Sequence, residues 1–215
     1  DHFRTLTSGL PELAFAAAPY AAASPYYAVR GPLRRLIGLP DGAGAGAGAG
    51  ADTDTDGFTT ALPAALASAA PGLLEWAPLI GVVLGVRVAE TEQTRVLAPE
   101  FRRARAHAAV QSLLARLLPG PAAVVVEDAH WLDEASAALL ADIAASAPEQ
   151  RWAMLVTRRP AGGSIVTPGN GREVTLGPIA AQELHALTAT ALGEVPAHVR
   201  AHQRVRQAGR RAARR

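Results

Sequence analysis

Apolar positions recur along this chain with two different periods. Between residues 99 and 118, Val110, Leu113, Leu114, Leu117 and Leu118 follow helical spacing and predict an amphipathic helix. Arg102, Arg103 and Arg105 fall in its exposed N-terminal half, and Pro119, Gly120 and Pro121 end it. The next apolar stretch, AAVVVED, is continuous and stops abruptly in two acids, which suits a strand buried on both faces of a parallel sheet. Asp133 then caps a helix over about 134–147, with Leu139, Leu140 and Ile143 facing inward. WAMLVT (152–157) reads as a second buried strand and REVTLGP (172–178) as a third short one. A Gly-rich loop (161–171) lies between them, and a helix follows over 179–192. This order is that of an α/β layered domain.

The N-terminal half is less regular. SPYYAVRGPLRRLIGLP reads as a loop entering a helix over about 27–37, with Leu33, Leu36 and Ile37 on one side and Pro32 near the first turn. Residues 58–80 are Ala-rich and predict helix anchored by Leu62, Leu66, Leu73 and Leu74. GVVLGVRV (81–88) fits either a short strand or a loop between helices. Between them, DGAGAGAGAGADTDTDG (41–57) has almost nothing to pack and reads as a flexible, disordered Gly/Ala insert. Its DTDTD run lacks the Gly and Glu positions of a calcium loop. The expected organisation is an N-terminal helical part (1–40), the insert (41–57), the remaining core (58–197) and an Arg-rich tail (198–215).

Composition narrows the chemistry. Of the 215 residues 49% are apolar, but about a quarter of all residues are Ala, so the core is thin in large side chains. The absence of Cys excludes a disulfide framework, a thiolate nucleophile and a Cys-ligated metal. All 21 basic residues are Arg. Without Lys there is no Schiff-base chemistry and no complete GxxxxGK[ST] P-loop within these residues. Seven Arg and no acid lie in residues 198–215, so the pI near 9.6 belongs to the tail, while the rest is net acidic. That distribution argues against a folded nucleic-acid-binding face. No apolar run is long enough to span a membrane and no export signal is visible, which points to a cytoplasmic protein.

The stretch that carries chemistry is VVVEDAHWLD (124–133). Ligands of parallel sheets bind beyond the carboxyl ends of strands, and here that end presents Glu127 and Asp128. Nucleotide hydrolysis uses such a pair: one carboxylate holds Mg²⁺ and the other polarises the attacking water. Adjacent strand residues point to opposite faces, so the turn after the strand must bring both acids to the phosphates. The competing reading is a buried strand that simply ends in solvated acids.

The motif is similar to that of AAA- and STAND-type signal-transduction ATPases, which show an apolar strand, an acidic pair and then His-Trp-x-Asp. Ala129, His130, Trp131, Leu132 and Asp133 match. Thr157, Arg158, Arg159 and Pro160 match the family's Thr-x-Arg-Pro, and Leu176, Gly177 and Pro178 its later turn. Residues 96–136 resemble most the ATPase region of actinobacterial class III adenylate/guanylate cyclases, and less closely that of LuxR-type regulators. The resemblance implies a partial P-loop NTPase-like parallel sheet flanked by helices. It implies Glu127 and Asp128 as metal-binding and catalytic acids, and Arg159 and His130 as nucleotide contacts. ATP and Mg²⁺ are the implied cofactors, and other domains of a multidomain signalling protein the implied partners. The expected P-loop would precede residue 1, so the chain reads as a fragment that binds ATP weakly alone. Alternatives are a LuxR-type regulator fragment and a nucleotide-free interaction domain.

Overall fold

The computed structural model describes residues 2–21, 23–39, 55–160, 171–179, 183 and 187. The chain divides into two units, residues 1–171 and 172–215. In the first unit the order is α1 (His2–Leu6), β1 (Glu12–Ala16), α2 (Tyr27–Leu36), α3 (Thr55–Ala69), α4 (Ala77–Leu84), α5 (Glu92–Arg95), α6 (Pro99–Leu117), β2 (Ala122–Glu127), α7 (Glu134–Gln150) and β3 (Trp152–Val156). The fold is mixed α/β: a three-strand parallel sheet, order β1-β2-β3, flanked by helices.

The apolar run becomes the central strand because it alone has neighbours on both edges. Ala122 to Val126 of β2 are all buried. The register sets Leu13 beside Val124 and Phe15 beside Val126 on β1, and Met154 and Val156 beside the same two residues on β3. Registered neighbours in a parallel pair share a face. One face therefore carries Leu13, Phe15, Val124, Val126, Trp152, Met154 and Val156. These join one core cluster with Val29 and Leu33 of α2, Leu62 and Leu66 of α3, Leu79 and Ile80 of α4, Leu113 and Leu114 of α6, and Leu139, Leu140 and Ile143 of α7. The other face carries Glu12, Ala14, Ala16, Ala123, Val125, Glu127, Ala153 and Leu155. Ala123 and Val125 are buried there, yet both lie outside that cluster.

The amphipathic helix, the strand at 122–127, the helix capped by Asp133 and the strand at 152–156 stand where the pattern predicts them, but the last, at the sheet edge, buries only Trp152 rather than its whole length. Four expectations change. The stretch at 12–16 forms a strand, β1, rather than part of a helical N-terminal segment; its buried Leu13 and Phe15 alternate with exposed or half-buried residues. Residues 58–80 are not one helix. The end of α3 is followed by a 3₁₀ turn, Pro71–Trp76, and then α4. GVVLGVRV is neither strand nor simply loop: residues 81–84 complete α4, and Gly85 at φ 65° turns the chain so that the Val86 N–H reaches the Gly81 carbonyl at 2.8 Å. Pro32 lies inside α2, at its sixth residue, rather than near its first turn.

In the second unit, the described part of REVTLGP has no strand pairing, and Val174 and Leu176 are exposed, so the third sequence-predicted strand is not formed there. Glu183 and Leu187 are helical. The insert at 41–54, the Gly-rich loop at 161–170 and the Arg-rich tail lie outside the described residues; 55–57 of the expected insert belong to α3. Among the described residues no helix is long and apolar enough to cross a membrane.

Candidate functional site

The carboxyl ends of β2 and β3 are stitched together by backbone bonds. The Thr157 N–H donates to the Val126 carbonyl and the Ala129 N–H to the Thr157 carbonyl, each at 2.8 Å. The Asp128 N–H donates to Thr157 Oγ1 at 3.1 Å. Asp128 itself is left-handed, φ 54°, a conformation that Asp adopts more readily than most residues but that still costs about 1 kcal/mol. The Thr157 hydroxyl thus holds the peptide that sets where the Asp128 carboxylate goes. That carboxylate is 66% exposed.

Glu127 behaves differently. Its register partner is Ala16, on the sheet face away from the main core. There Arg4 of α1 donates from Nη2 to Glu127 Oε1 at 3.1 Å and from Nε to Glu12 Oε1 at 3.2 Å. The hydrogen bond and charge of Glu12, then the charge of Glu127, raise the guanidinium pKa. The two neighbouring acids therefore have different surroundings: Glu127 is paired with a cation on the sheet face, and Asp128 stands at the strand end.

His130 follows in a 3₁₀ turn, Ala129–Trp131. Its side chain is only 5% exposed, and Nδ1 lies 3.9 Å from Asp128 Oδ1, beyond hydrogen-bond range. Neither ring nitrogen has a hydrogen-bond partner among the described residues. The ring sits 4.9 Å from that of Trp131, and the Arg159 guanidinium lies 5.7 Å from the Trp131 centroid. Trp131 is thus a half-buried link between His130 and Arg159, outside the main cluster.

Asp133 is buried and caps α7 as its sequence position predicts. Oδ1 accepts the Ser136 N–H at 2.8 Å and the Tyr26 N–H at 2.9 Å, and Oδ2 accepts the Ser136 hydroxyl at 2.6 Å. The Tyr26 hydroxyl lies 3.0 Å from His107 Nε2, and His107 Nδ1 lies 2.6 Å from Asp142 Oδ2. This chain of polar contacts ties the entry of α2 to α6 and α7 behind the strand end. Burial pushes the Tyr26 phenol up.

The geometry thus brings Asp128, His130, Trp131 and Arg159 to one crest and directs Glu127 to Arg4. Sequence reading missed Arg4, Glu12 and the Tyr26–His107–Asp142 contacts. The Arg4–Glu127 pair spans 123 residues and the Tyr26–His107 pair 81, so no local pattern signals either. Among the described residues no group of three or more His, Asp or Glu is placed to hold a metal ion. A divalent cation at the crest would have the exposed Asp128 carboxylate, with remaining positions filled by water or ligand oxygens, as Mg²⁺ prefers. Glu127 lies on the sheet face, with Oε1 engaged by Arg4. No family model, curated protein or solved structure matches the chain.

Proposed function

We propose that the carboxyl edge of this sheet is the metal- and water-handling part of a P-loop NTPase-like nucleotide switch, of the AAA/STAND type found in cytoplasmic signalling proteins such as adenylate/guanylate cyclases. The observation that carries this reading is that a strand buried on both faces ends in Glu127–Asp128 at the carboxyl end of a parallel sheet. Ligands of such sheets bind at that end.

In this reading the Asp128 carboxylate is the residue that holds Mg²⁺. Bound Mg²⁺ supplies charge neutralisation for the phosphates and orders a water. Thr157 fixes the Asp128 peptide, which sets the point from which the carboxylate leaves the sheet edge. Arg159, exposed beside Trp131, supplies a planar cation suited to a phosphate oxygen. His130 offers two ring nitrogens with no partner among the described residues. The chain has no Lys, so tight binding of a triphosphate needs a cradle beyond these residues.

A second reading, a nucleotide-free interaction domain, is favoured by the engagement of Glu127 with Arg4. A LuxR-type regulator would use the same crest and differ in its output domain. The test uses Mn²⁺ as a spectroscopic stand-in for Mg²⁺. Electron paramagnetic resonance should detect one site with a Kd on the order of 1 mM, lost in Asp128→Asn. Mn²⁺ binding indifferent to that substitution rejects the nucleotide-switch reading and leaves the interaction domain.

A further inference from the structure

We infer that His130 is a positioning residue for the Asp128 carboxylate, which works between two places: turned out into solvent, as here, and turned in to accept the His130 Nδ1–H. The inference rests on the reading of Asp128 as the acid the site uses, and adds its regulation. Its basis is a buried imidazole with nothing bonded to it, beside an exposed carboxylate with room to turn.

The His130 side chain is 5% exposed, and neither ring nitrogen has a hydrogen-bond partner among the described residues. Such a group has given up its water without compensation, so a conformer that supplies a partner is favoured. Trp131, 4.9 Å away ring to ring, and Arg159 beyond it carry side-chain N–H donors only. Asp128 Oδ1, 3.9 Å from Nδ1, is the acceptor that faces the ring. A carboxylate on that side favours the neutral tautomer with its proton on Nδ1.

The distance to be closed is about 1 Å. Both ends of the turn that carries His130 are held, at Asp128 by the Thr157 hydroxyl and at Asp133 by Tyr26 and Ser136. The ring packs against Trp131, so the part with freedom is the Asp128 side chain. It is 66% exposed and does not cap the 3₁₀ turn that follows it. Turned in, the carboxylate commits an oxygen to His130, and a ligand at the sheet edge has to draw it away. His130 thereby sets how much of Asp128 is available without itself touching the ligand, and needs no proton uptake to do so.

The experiment records the His130 ring ¹⁵N resonances of the full chain by NMR at about pH 8, above the ordinary imidazole range, with His130→Phe to assign them. The parent should show the Nδ1–H tautomer. Asp128→Asn, whose Oδ1 still accepts, should keep it, and Asp128→Ala should lose it. Urea unfolding of Asp128→Ala, His130→Phe and the double variant should give a coupling of about fivefold in the unfolding equilibrium constant. The cost of Ala in a left-handed conformation cancels in that cycle, because it is present with and without His130. An Nε2–H tautomer in the parent, or an Nδ1–H that survives Asp128→Ala with coupling below about twofold, overturns the latch. The response of Mn²⁺ binding to Asp128→Asn, measured separately, decides the nucleotide-switch reading.

Discussion

Replacing Asp133 with Ala removes one carboxylate that serves three donors. The residue is 6% exposed, so water cannot substitute for it. Loss of the helix cap costs about 1 kcal/mol. The Tyr26 N–H, left without its acceptor, adds about 1–3 kcal/mol. Tyr26 is itself left-handed, φ 61°, and loses the bond that helps hold it there. The Ser136 hydroxyl can turn back to a carbonyl of the preceding turn, so its share is small. The sum is about 3 kcal/mol, or about 6–12 °C in midpoint for a domain of this size. Asp133→Asn keeps Oδ1 for both N–H donors and presents its amide to the Ser136 oxygen, so it should cost less than about 1 kcal/mol. Urea unfolding followed by circular dichroism measures both, with an unchanged m-value as the sign that only stability has moved. Equal losses in the two variants, or a loss below about 1 kcal/mol in Asp133→Ala, would show that this carboxylate does not join α7 to the α2 entry.

Three further outcomes follow from backbone space and burial. Gly81→Ala should destabilise by about 1–2 kcal/mol despite Ala's helix preference, because its Cβ would stand 2.6 Å from the Val86 carbonyl oxygen. Gly31→Ala, inside α2 with only an Arg35 side-chain atom at 3.5 Å, should stabilise by about 0.5–1 kcal/mol in the same urea assay. The Tyr26 phenol is raised by burial, so the folded state keeps its proton where the unfolded state loses it. Its contribution is present below about pH 10 and is lost as pH rises through the folded value; denaturant melts in Tyr26→Phe should show a flatter alkaline limb than the parent.

What the sequence made legible was what is written locally. The stripe Val110, Leu113, Leu114 specifies α6, and the unbroken run 122–126 specifies a strand with two buried faces. The Asp133 cap is a four-residue signal and is formed. Strand β1 was missed because five residues with two buried side chains, flanked by Pro11 and an Ala run, look the same as a loop until β2 supplies its partner. REVTLGP failed for the opposite reason: alternation by itself does not make a ladder, and among the described residues this stretch carries no strand. The carboxylate pair was visible, but its division between two environments was not, since Arg4 comes from the far end of the chain.

That division follows from parity. Glu127 continues the alternation of β2, so it shares the face of Ala123 and Val125 and meets Arg4 and Glu12 there. Asp128 breaks the alternation with a left-handed residue and leaves the sheet at its carboxyl edge. Had the strand ended one residue earlier, both acids would belong to the turn and Arg4 would reach neither by this register. Had it ended one residue later, Asp128 would point to the core face, which is filled by Val124 and Val126, and a charged group there would be expelled. The observed length is therefore the one that leaves one acid at the edge and pairs the other with Arg4 of α1. The parity that puts Glu127 on the sheet face is what makes it available to the Arg4 guanidinium.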